Sequence, residues 1–183
     1  MKKISIILCM AVFSCAFMGS QTDRKPIKEA PPYADLEFEE VQCCGLPLIH
    51  EKDLEHIEGV EDMGDGRFYA LKKYLDEEYK IFGAYQTGDS IYDLGEIGMR
   101  VPLKNESYSL DFTQVFKYKA VKIIGTLGAN HSRTKYLMFD KRNIPFRLLE
   151  IHGHTREIDL DNDGSFEIIA QDGTITVTCV YKC

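Results

Sequence analysis

From Arg67 to the C-terminus the chain runs in short stretches of β-branched and aromatic residues broken by Gly, Asn and Asp, the pattern of an all-β antiparallel domain. Three of these stretches line up: "EYKIFGAY" (78–85), "AVKIIGTL" (120–127) and "SFEIIAQD" (165–172). Each carries a charged residue (Lys80, Lys122, Glu167), two large apolar residues and then a small one, and each is followed by a second strand-like run. The charged positions lie 42 and 45 residues apart, close to the length of a four-stranded propeller blade. Three copies are too few to close a propeller, which leaves blade-like or sandwich-like antiparallel units, or a chance likeness among amphipathic strands. In the final stretch, "TITVTCVYKC", strand parity puts Ile175, Val177, Cys179 and Tyr181 on one face, the core side.

Ahead of this region the pattern weakens. "EKDLEHI" predicts a turn or two of helix, and the Gly and Asp cluster at 59–66 reads as loop. Residues 41–183 are expected to form the domain. Residues 15–40, rich in charge and proline without a sustained period, are expected to be a flexible tether.

The first residues change the picture. Lys2 and Lys3 precede an apolar run from Ile4 to Phe13, too short to span a bilayer and of the size of a signal peptide. Val12-Phe13-Ser14-Cys15 resembles the lipobox of bacterial lipoproteins, with Phe13 bulkier than that pattern prefers. The resemblance implies cleavage after residue 14, lipidation of Cys15 and anchoring to the outer face of a bacterial membrane; an ordinary secretory signal cut a few residues later and an uncleaved signal anchor are the alternatives. Beyond the leader, Cys43, Cys44, Cys179 and Cys183 remain, an even number that in an oxidising compartment predicts two disulfides. Bonds from the 43/44 pair to the 179/183 pair, bonds within each pair, and a thiolate zinc site are all open readings.

Charge removes one class of partner. With Lys2 and Lys3 gone, 20 of the 22 basic residues face 29 acidic ones, a formal charge of −9, which excludes nucleic acid as an expected partner.

One acidic stretch stands out. In "REIDLDNDGSFEIIAQDG" (156–173), Asp159, Asp161 and Asp163 alternate, Gly164 allows a sharp turn, Ser165 offers a backbone carbonyl and Glu167 closes the set. Alternate oxygens around a tight turn are what a short loop needs to wrap Ca²⁺, which takes six to eight oxygen ligands. An EF-hand would place glutamate at its twelfth position, here Ala170, and helices on either side, where this chain has strand-like flanks. "DLDNDGSFEII" instead resembles the DxDxDGxxE loops between strands of FG-GAP and VCBS-type repeats, and more loosely the region resembles secreted or lipid-anchored bacterial proteins carrying one such loop. The resemblance implies calcium and assigns no activity; a saturated oxygen cage between strands leaves little room for substrate, which makes the expected role structural. A solvated acidic turn is the plain alternative.

Chemistry elsewhere is sparse. His152 and His154 alternate and could share a transition metal with His131 if the fold gathered them. No nucleophile elbow, zincin helix, P-loop or dinucleotide fingerprint occurs. The leading expectation is a cell-envelope lipoprotein whose calcium-stabilised β-domain serves as a binding or structural module for an envelope protein or glycan. The alternatives are a secreted hydrolase built from dispersed residues such as His131, His152 and His154, and an inhibitor or immunity-type protein presenting loops 59–66 or 85–90.

Overall fold

A computed structural model describes residues 2–6, 37–40, 45–100, 107–128, 131–172 and 177–182. The strands are β1 (Lys2–Ile6), β2 (Glu37–Glu40), β3 (Leu48–Ile49), β4 (Ile57–Asp62), β5 (Arg67–Leu75), β6 (Glu78–Thr87), β7 (Ser90–Met99), β8 (Tyr108–Val115), β9 (Tyr118–Thr126), β10 (Ser132–Phe139), β11 (Pro145–His152), β12 (His154–Ile158), β13 (Glu167–Asp172) and β14 (Val177–Lys182). One turn of 3₁₀ helix at Glu51–Asp53 is the helical segment that "EKDLEHI" predicts. The fold is all-β, and every strand pairing is antiparallel.

Three sheets result: β3-β7-β6-β5-β4, then β11-β10-β9-β8, then β12-β13-β14-β1-β2. Most neighbours are consecutive in the chain, because tight turns return each strand against the one before. Asp76 and Glu77, both at positive φ (52° and 66°), form the two-residue turn between β5 and β6, a geometry that matches the twist of paired strands. The three aligned segments each supply an inner strand (β6, β9 and β13), bonded to the next strand in sequence.

The region 59–66 is not all loop. Residues through Asp62 belong to β4, an edge strand whose side chains are mostly exposed, so no alternation of burial marks it in the sequence. Glu37–Glu40, at the end of the expected tether, also pair as a strand, against Lys2–Ile6, which in turn pair with β14. The remaining residues of the expected leader and tether, with Cys15, Cys43, Cys44 and Cys183, lie outside the described residues. No disulfide is present among the described residues. Cys179 lies as its parity predicts, beside buried Tyr181 in the last sheet's core.

The sheet β11-β10-β9-β8 is the middle layer, covered on both faces. Val121, Ile123, Leu137, Phe139 and Leu148 point to one side and pack on Phe68, Ile81, Leu94 and Ile97 of the first sheet. The residues between them, Ala120, Tyr136, Met138, Leu149 and Ile151, point the other way and pack on Ile168, Ala170 and Tyr181 of the last. Each fully buried side chain of this size contributes roughly 1.5–3 kcal/mol by leaving water. At one corner the first and middle sheets touch backbone to backbone: a Cβ on Gly125 would lie 1.7 Å from the Ile97 carbonyl oxygen, so only glycine fits.

Buried charges on both faces of this layer are paired. Toward the first sheet, Lys135 Nζ lies 2.9 Å from Glu150 and donates to the Leu94 carbonyl, while Arg133 bridges Glu96 (3.2 Å) and Glu150 (3.3 Å). Toward the last sheet, Lys122 Nζ lies 2.9 Å from Glu157 and donates 2.9 Å to the Thr155 carbonyl. The Tyr136 hydroxyl donates to the same Glu157 and shares a 2.6 Å hydrogen bond with the Thr155 hydroxyl. Burial, and then the bond to Glu157, hold the Tyr136 phenol well above its ordinary pKa; burial pushes that of Tyr181 up to about 12.

Two truncations should therefore destabilise the fold for different reasons. Leu137→Ala opens a cavity and should cost about 2–5 kcal/mol. Glu157→Ala leaves Lys122 buried without its carboxylate and should cost about 3 kcal/mol, although it removes less apolar surface. Urea unfolding of both variants checks this; a Glu157→Ala chain as stable as the parent would show that the pair is not needed.

Candidate metal centre

The acidic stretch joins β12 to β13, with Ile158 paired to Glu167 across the hairpin, so residues 159–166 form the loop. Its shape follows from its own side chains. Asp159 accepts hydrogen bonds from the backbone N–H of Asp163 (3.1 Å) and of Gly164 (3.0 Å), and Asp163 accepts from the N–H of Ser165 (2.7 Å). Such carboxylate-to-backbone bonds satisfy donors that a tight loop leaves without strand partners. The turn passes through positive φ at Asn162 (57°) and Gly164 (80°), the two residue types that tolerate it best.

The loop's exit is clamped from the middle sheet. Phe116, in the turn between β8 and β9, exchanges two backbone hydrogen bonds with Phe166, 2.7 and 3.0 Å long. Phe116 is fully buried at φ 57°, a conformation uncommon for a bulky residue and held here by its packing and by that bridge.

Within this frame three of the five expected ligands converge. Asp159, Asp161 and Glu167 each bring one carboxylate oxygen to within 4.8 Å of the others, and they form the one group of three or more metal-capable side chains among the described residues. Asp163 is engaged with the Ser165 amide and stands outside the group, and Ser165 itself is buried. Glu167 is 1 % exposed. One of its oxygens, Oε2, accepts from the Leu160 N–H at 3.0 Å; the other, Oε1, is buried with no hydrogen-bond partner. A buried carboxylate oxygen without a hydrogen-bond donor is costly in a protein interior, and this one lies on the side of Lys182, which also bonds Asp161.

Lys182, at the end of β14, reaches the same place. Its ammonium donates to Asp161 and lies 3.6 Å from Glu167 Oε1. That bond to Lys182 holds the Asp161 carboxyl below its usual range, and the reciprocal bond raises the Lys182 pKa. Sequence reasoning passed over Lys182. The signal was present all the same: antiparallel pairing of β13 with β14 brings the last residues of one beside the first of the other.

The histidines do not assemble in this way. Gly153 (φ 109°) carries the chain from β11 in the middle sheet to β12 in the last, so the alternation between His152 and His154 is broken. His152 Nε2 lies 3.5 Å from Glu150, whereas His154 Nδ1 lies 3.4 Å from the Ser132 hydroxyl. Among the described residues His131, His152 and His154 form no metal-capable group.

A cleft of about 290 Å³ opens between the first and middle sheets, walled by Met63, Tyr85, Phe112 and Phe139 with Asp65 and Lys119 as its charged groups. Asp65 accepts a 2.8 Å hydrogen bond from Asn143 at this rim. No protein family, no characterised protein and no solved structure was found to match the chain.

Asp159 is the main internal brace of the loop. Asp159→Ala should raise the hydrogen-exchange rates of the Asp163 and Gly164 amides by at least tenfold while leaving β9 and β10 protected; unchanged exchange at both amides would remove that role.

Proposed function

We propose that the chain is a cell-envelope lipoprotein whose β-domain is a calcium-stabilised binding or structural module. The observation that carries this reading is the convergence of Asp159, Asp161 and Glu167, with a buried Glu167 oxygen that no hydrogen-bond donor satisfies. These hard oxygen donors suit Ca²⁺ better than a thiophilic or imidazole-loving metal. Bound there, calcium supplies positive charge to the cluster and locks the β12–β13 hairpin. The chain's own residues do the rest: Asp159 braces the loop, Phe116 clamps its exit, and Glu167, the first residue of β13, holds the loop's entry through the Leu160 N–H.

Anchoring is the other half of the proposal. Lipid on Cys15 would hold the domain at the membrane's outer face, with residues 15–40 as the spacer. No helix among the described residues is long and apolar enough to cross a membrane. Cleavage before Cys15 would also remove Lys2–Ile6 from the edge of β14.

Two measurements test the two halves. The melting temperature of the full chain in detergent should rise by several degrees in calcium over chelator, since a ligand at 100 times its Kd stabilises by about 2.7 kcal/mol. The Asp159→Ala, Asp161→Ala variant should show no such rise, and a parent protein indifferent to calcium would sink the metal reading. In a bacterial host, a fatty-acid analogue should label the parent and not Cys15→Ala; label retained by that variant would place the lipid elsewhere.

A further inference from the structure

Lys182 gives the metal site a rival cation from within the chain. We propose that the Lys182 ammonium and calcium are alternative occupants of the carboxylate cluster, so that calcium enters only as Lys182 leaves. This inference rests on the calcium reading.

The geometry supports exchange rather than coexistence. Lys182 donates to Asp161 and lies 3.6 Å from Glu167 Oε1, two of the three carboxylates that converge. A divalent ion drawing on those same oxygens would stand within a few ångströms of the ammonium, where like charges repel strongly. The lysine can leave at little cost. Its side chain is 38 % exposed, so rotation about its flexible stem carries the charge into water. Glu167 cannot follow: its side chain is 2 % exposed, and its other oxygen is held by the Leu160 amide.

The arrangement has two consequences. In calcium-poor surroundings the cluster keeps a counter-ion, so the hairpin does not spring apart under its own charge. In calcium-rich surroundings the metal must displace that counter-ion, which weakens the apparent affinity. A site built in this way works in the range of extracellular modules, about 10⁻⁴–10⁻³ M, rather than that of cytosolic buffers.

Calcium titration of the full chain in detergent, by calorimetry, compares the parent with Lys182→Met and Lys182→Arg. Lys182→Met should bind calcium at least tenfold more tightly and melt lower than the parent in chelator, whereas Lys182→Arg, which keeps the charge, should bind within about threefold of the parent. Equal affinity in the parent and Lys182→Met overturns the exchange and leaves the calcium site standing. Tightening by Lys182→Arg as large as by Lys182→Met also overturns it, because charge would not be what competes. No calcium binding by any of the three overturns the site itself, and the exchange with it. If Lys182→Met folds only with calcium, as read by circular dichroism, the proposal is supported; if it stays unfolded at saturating calcium, the lysine is a structural strut and the proposal fails.

Discussion

A β-sheet covered on both faces has no solvent side on which to place its polar residues. The middle sheet is built under that constraint, and much of the molecule follows from it. Its strands carry Lys122, Arg133, Lys135 and Glu150 among their apolar residues; Glu150 is met within the sheet by Lys135 and Arg133, while Arg133 also reaches Glu96 and Lys122 reaches Glu157 across the two sheet-to-sheet interfaces. The partners therefore fix how the outer sheets dock. Glu96 of β7 sets the first sheet against Arg133, and Glu157 of β12 sets the last sheet against Lys122 and Tyr136. Apolar packing supplies the attraction, and the ion pairs restrict which alignment can be reached without stranding a buried charge.

The acidic loop obeys the same rule at the outer layer. Glu167 stands in β13 where Lys122 stands in β9, at matching positions of two aligned segments. Both are nearly buried, and both look for an opposite charge from a neighbouring element: Lys122 finds Glu157, and Glu167 has Lys182 beside one oxygen. The third of the set, Lys80, is more exposed and pairs with Asp76 and Glu96. The small residue three places on has its reason too. At Gly125 the first sheet's backbone leaves no room for a Cβ, and at Gly83 a Cβ would press on Ile97, Leu94 and Phe68.

What could be read in the sequence was what neighbouring residues decide. The hairpins, the inner strands and the core side of β14 show in turn residues and parity, because each depends on side chains a few positions apart. The loop was legible for the same reason, since Asp159, Gly164 and Glu167 lie within nine residues. The edge strand β4 was hidden because exposure on nearly all its positions erases the alternation that reveals a strand. The order of the layers was hidden because nothing in "SRTKYLMF" says that both faces of β10 meet protein; the mixed polarity reads as a half-solvated strand until Lys135 and Tyr136 are seen to have partners on opposite sides. Lys182 was missed because its role arises between two strands rather than within one.

The topology also carries an order in time. Almost every strand pairs with one adjacent in sequence, so the hairpins can close soon after their residues are made, without waiting for distant chain. Chain synthesis delivers the first sheet's meander, then the middle sheet that docks on it, and only at the end β13, β14 and the last lysine. Until β12 and β13 arrive, the face of the middle sheet bearing Tyr136, Met138 and Leu149 has no cover. The nascent domain is thus most exposed to aggregation just before its acidic hairpin is complete, and closure of that hairpin is the step that ends the exposure.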